Sequence, residues 1–133
     1  MTPVLQLSSY PELIALHKAL LEAKFNSMPN DLLIAGSPYV AQIANQVIET
    51  VIQLETAKGD ANAEGKWKEW RRINPSRREW QVAIDRVKET KDTWMRWSNE
   101  EKASYVRVVL SPFTIEEHLL KTFISQVEES LAE

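Results

Sequence analysis

At four places ahead of an expected helix a serine or threonine is followed three residues later by glutamate: Ser9/Glu12, Ser76/Glu79, Ser98/Glu101 and Thr114/Glu117. In a capping box each of these side chains satisfies a backbone N–H left free at a helix start, so the pattern marks helix N-termini. Ser37 followed by Pro38 marks a fifth start, because proline at the first helical position lacks only an N–H that has no partner there. Asn74 before Pro75 competes with Ser76 as cap of the third long helix. A chain punctuated in this way is expected to fold as an all-α bundle of about five helices with short connectors.

The apolar spacing agrees. At about 100° per residue, Leu13, Ile14, Leu16, Leu20, Leu21 and Phe25 fill one arc of a helix from Tyr10 to Phe25. A second helix from Pro38 to Lys58 gathers Val40, Ile43, Ala44, Val47, Ile48, Val51, Ile52 and Leu54, and Gly59 stops it. "SMPNDLLIAG" between them reads as a connector. Residues 66–73 suit a short helix, because Trp67, Trp70 and Ile73 recur every third position. A long helix from Arg77 to Trp97 follows, with Trp80, Ile84, Val87, Trp94 and Met95 on one side. Two more run from Asn99 to Leu110, ended by Pro112, and from Ile115 to Leu131. Residues 1–133 make one domain on length, with the loop-like "GDANAEGK" at 59–66 as its junction.

Charge is unevenly spread. Residues 1–58 carry three basic and five acidic groups (net −2), 59–102 carry eleven and nine (+2), and 103–133 carry two and five (−3). Six basic groups stand against Glu69 alone in residues 66–78. No cysteine is present, which excludes disulfides and thiolate chemistry and fits a reducing compartment. The start "MTPVLQLSSYP" has no basic n-region or long apolar run, and no stretch approaches the roughly 18 apolar residues of a membrane span. A cytoplasmic protein without a membrane span is expected.

Catalytic chemistry finds few residues to use. His17 lies within the apolar arc of the first helix, where burial favours neutral imidazole; a core histidine and a buried general base both fit. His118 falls on the polar side of the last helix. Neither histidine has a glutamate three positions earlier, as a di-iron bundle requires, and no histidine pair has zinc-ligand spacing. The three glycines form no phosphate-cradling loop. No cofactor, metal or catalytic residue is assigned.

The unusual stretch is "WKEWRRINPSRREW", residues 67–80, in a chain whose five tryptophans all fall between positions 67 and 97. Tryptophan and arginine are the residues most enriched at binding hot spots. Trp67, Trp70, Arg71, Arg72, Arg77 and Arg78 are therefore the candidate binding residues, pictured as one flat, cationic, aromatic face. The competing reading makes the tryptophans core anchors, Trp80 and Trp94 first among them, with the arginines as solvated cover. The expected function is a non-enzymatic helical module that binds another protein or a second copy of itself. One alternative is nucleic-acid binding through the same residues, against which stands the acidic pI of about 5.5. A small enzyme using His17 as base is the other.

Overall fold

Ser9 closes its capping box with Glu12 and Ser37 accepts from the Val40 N–H, so the first two helices start where the sequence places them. The computed structural model describes residues 3–7 and 9–133; of the N-terminal stretch read as lacking a leader, residues 1, 2 and 8 lie outside the described residues. Seven helices are found among the described residues: α1 (Tyr10–Phe25), α2 (Pro38–Ala57), α3 (Ala63–Arg71), α4 (Arg78–Lys88), α5 (Lys91–Trp94), α6 (Asn99–Leu110) and α7 (Glu117–Leu131). The protein is an all-α bundle, and none of these helices is long and apolar enough to cross a membrane.

Two of the four expected capping boxes do not form. Ser76 instead gives its hydroxyl and its backbone N–H to the Asn74 side chain, and Arg77 becomes the N-cap of α4. Thr114 is held in a short backbone bridge: Ile73 N–H donates to Thr114 O at 2.9 Å and Thr114 N–H to Arg71 O at 2.7 Å. The last helix therefore begins at Glu117, two residues later than its apolar pattern suggests. The expected long helix from Arg77 to Trp97 is also broken. Thr90 turns its hydroxyl onto Val87 O at 2.7 Å, competing with the helical ladder, and α4 and α5 part there. That break, together with the short helix expected over residues 66–73 and found as Ala63–Arg71, turns five long helices into seven elements.

Two apolar clusters result. Fifteen buried residues, including Trp80, Trp94, Val106, Leu110, Phe113 and Phe123, form the main core, built chiefly by α4, α6 and α7. A second cluster has only Leu13, Val47 and Val51 fully buried, in the antiparallel α1–α2 hairpin, with Tyr10, Ile14, Leu16, Leu54 and Trp67 half-covered around it. The connector between α1 and α2 folds back onto α6. Gly36 packs closely there: a Cβ at that position would lie 2.7 Å from the Tyr105 hydroxyl and would displace that ring. Short α3 crosses back towards the hairpin and stands between the two clusters.

Candidate binding cleft

Trp67 and Trp70 are three residues apart on α3, so both indoles leave the same side of that helix. Opposite them, Ile14, His17, Lys18 and Leu21 form an i, i+3, i+4, i+7 stripe on α1. Both rows, together with Glu55 of α2 and Lys66 of α3, line a cleft of about 570 Å³. The three rings meet edge-on: His17 lies 5.4 Å from Trp67 and 5.2 Å from Trp70, and the two indoles are 5.5 Å apart. Such edge-to-face pairs are favoured by the ring quadrupoles and hold the wall rigid.

The polar groups around the cleft are mostly committed. Glu55 accepts from Tyr10 Oη at 2.7 Å with one oxygen and from Trp67 Nε1 at 2.8 Å with the other. The Glu55 carboxylate raises the Tyr10 pKa, through that hydrogen bond first and then burial. Lys66 pairs with Asp60 at 2.6 Å, which raises the lysine pKa and lowers that of the carboxylate. Lys18 is exposed and without an ion pair among the described residues, and His17 is the buried exception. It is only 7% exposed, its ring makes no hydrogen bond among the described residues, and it lines the cleft. Burial first, and then the Lys18 charge, hold its pKa below the ordinary 6.5, so the ring is neutral at pH 7.

The six candidate binding residues do not share one face. Trp67 and Trp70 line the cleft, each half-buried. Arg71 points elsewhere: Nε donates to Pro112 O at 2.8 Å and Nη2 to Asn45 Oδ1 at 2.9 Å, tying α3 to α2 and to the α6–α7 turn. Arg72 pairs with Glu116 at 2.7 Å and Glu69 at 3.3 Å. Arg77 donates Nη1 to Trp70 O at 2.6 Å and lies over the Trp70 and Phe113 rings, 5.3 and 4.7 Å from their centroids. Arg78 is exposed. A flat cationic face is therefore replaced by an aromatic cleft with arginine bracing behind it.

Trp80 and Trp94 are buried at 2% and 0%, and Trp97 is half-buried against Tyr105. His118 is exposed, 3.7 Å from Glu116. No group of three histidine, aspartate or glutamate side chains is placed to hold a metal among the described residues. The cleft residues that the Trp/Arg motif did not reveal are Ile14, Lys18, Leu21 and Glu55. The three on α1 belong to the helical stripe centred on His17, which reads equally as core until α3 is laid against it, whereas Glu55 lies on α2 and carries no such signal. The chain matches no family model, no curated protein and no solved structure.

Proposed function

We propose that this protein is a non-enzymatic interaction module that captures a segment of another protein in the cleft between α1 and α3. The observation that carries the reading is the pair of half-buried indoles forming one wall of an apolar cleft of about 570 Å³. Sites that bind side-chain-sized groups are concave, mostly apolar and largely pre-formed, with volumes of roughly 300–1,000 Å³. Tryptophan in such a cleft adds large contact area at little entropy cost, and Arg77 stacked behind Trp70 reduces that cost further. In this reading Trp67 and Trp70 touch the partner. Arg71, Arg72 and Arg77 hold the wall in place, and Arg78 is left exposed at the start of α4.

Nucleic-acid binding gains less from this arrangement. Counterion release needs basic groups free to meet phosphates. Lys66 and Arg72 are instead ion-paired, and Arg71 and Arg77 spend donors on backbone carbonyls.

The test is selection of peptides from a random library on the immobilised full chain. Enriched peptides should share a large apolar anchor and bind the Ile14→Arg variant at least tenfold more weakly, with circular dichroism confirming that the variant is folded. Absence of any consensus, or equal binding to Ile14→Arg, overturns the proposal. Affinity for single-stranded oligonucleotides that falls steeply with salt would also overturn it, in favour of nucleic acid.

A further inference from the structure

We propose that the group bound in this cleft is a single aromatic ring carrying a hydrogen-bond donor at its edge, an indole N–H or a phenol O–H, which donates to the unpartnered ring nitrogen of His17. This rests on the reading of the cleft as a binding site and specifies its ligand.

The walls select for an aromatic ring. Ile14 and Leu21 offer aliphatic surface, and Trp67 and Trp70 offer aromatic surface. A bound ring can stack or meet them edge-on, adding to the attraction from area burial alone. A quaternary ammonium, the usual guest of aromatic cages, is disfavoured. The three rings are in edge contact at 5.2–5.5 Å and leave no central void between them. Lys18 and Lys66 on the lining also repel a cation.

The polar inventory selects for a donor. The rim lysines are themselves donors, and each Glu55 oxygen already accepts one hydrogen bond. A neutral imidazole carries one N–H and one lone pair. His17 is more than nine-tenths buried, makes no hydrogen bond among the described residues and lines the cleft. Its lone pair is the acceptor that nothing in the cleft supplies with a proton. A ring that fills the cleft without donating strips the remaining water from that nitrogen and gives nothing back, which is the situation in which polar specificity is largest.

The experiment compares indole with 1-methylindole, which keeps the shape and removes the donor, by NMR titration of the full chain. Indole is expected to bind with a Kd of about 1 mM, given the affinity that so few atoms can supply. It should shift the Trp67, Trp70 and His17 side-chain signals and bind at least fivefold more tightly than 1-methylindole. His17→Leu should erase that preference, and His17→Gln, which restores an acceptor oxygen, should recover part of it. Equal affinity for the two probes, or a preference that survives His17→Leu, overturns the inference. If selected peptides occupy the cleft while indole does not, the anchor chemistry is wrong and the interaction reading stands. If neither binds, both are overturned.

Discussion

Trp94 and Trp67 differ in what covers their rings. Trp94 is fully buried in the main core, its Nε1–H donates to Glu128 at 3.3 Å, and Lys102 stacks over the ring. Trp80, in the same half, is covered by Phe123 and donates to Gln126 at 2.8 Å. Trp67 has its N–H satisfied as well, by Glu55, yet one face of the ring lines a cleft. The back half, with fifteen buried members in its cluster, uses tryptophan as filling; the front half, with three, cannot cover all its apolar surface. A two-helix hairpin presents one closed seam, whereas α4, α6 and α7 close around a centre. Unsealed aromatic surface therefore collects where short α3 meets the hairpin.

Trp94→Ala should be the most damaging of the substitutions that test this contrast. Truncating a sealed aromatic costs about 4 kcal/mol through lost burial and a residual cavity. Trp67→Ala should cost about 2 kcal/mol, because part of its area already faces water and its loss releases one hydrogen bond. Urea denaturation at pH 7 measures both. Equal losses would mean that the cleft wall is core after all.

Lys24 lies where the halves meet. It is buried at 1%, and its Nζ donates to Val108 O at 2.8 Å near the C-terminus of α6. The carbonyl end of a helix favours a cation, but burial outweighs it and pushes the pKa from 10.5 down to about 7. Between those two values the unfolded chain holds more protons than the folded one, so stability rises with pH across that window. Below about pH 7 the full penalty for burying the group persists. Lys24→Met, close in volume, should gain about 2 kcal/mol at pH 7 and flatten the rise in melting temperature between pH 7 and 9.5. A destabilised variant that keeps the wild-type slope would refute this account.

What could be read in advance was what a few neighbouring residues decide for themselves. Ser9/Glu12 and Ser98/Glu101 cap as their spacing requires, since both partners belong to one helical turn. Ser76/Glu79 fails because Asn74, two residues back, takes the Ser76 hydroxyl first. Thr114/Glu117 fails because residues 71–73, some forty positions away, hold the Thr114 backbone. The cleft divides along the same line. Trp67 and Trp70 stand out by type, and the α1 stripe around His17 stands out by period. The packing of these two rows across nearly fifty residues depends on how α3 crosses the hairpin, which no local pattern encodes. The arginines divide for a related reason. Their concentration suggested one electrostatic face, but Arg71 finds Asn45 and Pro112 while Arg72 finds Glu116, all remote in sequence.

The smallest expected effects separate these arginines from one another. Arg71→Gln removes two charge-assisted hydrogen bonds that join three elements, and the Pro112 carbonyl it serves belongs to a buried residue. Its cost should be about 2 kcal/mol. Burial already lowers the Arg71 pKa, partly offset by Glu49, so this cation is retained for its bonds and not for exposed charge. Arg72→Gln loses only exposed ion pairs and should cost less than about 1 kcal/mol, shrinking with added salt. Arg78→Gln, on an exposed residue, should change stability by less than about 0.5 kcal/mol. Denaturation of the three variants at low and high salt gives this order directly. If Arg78→Gln proved as costly as Arg71→Gln, the division between bracing arginines and an exposed one would be lost. With it would go the reason for assigning partner contact to the tryptophans and structural support to the charges behind them.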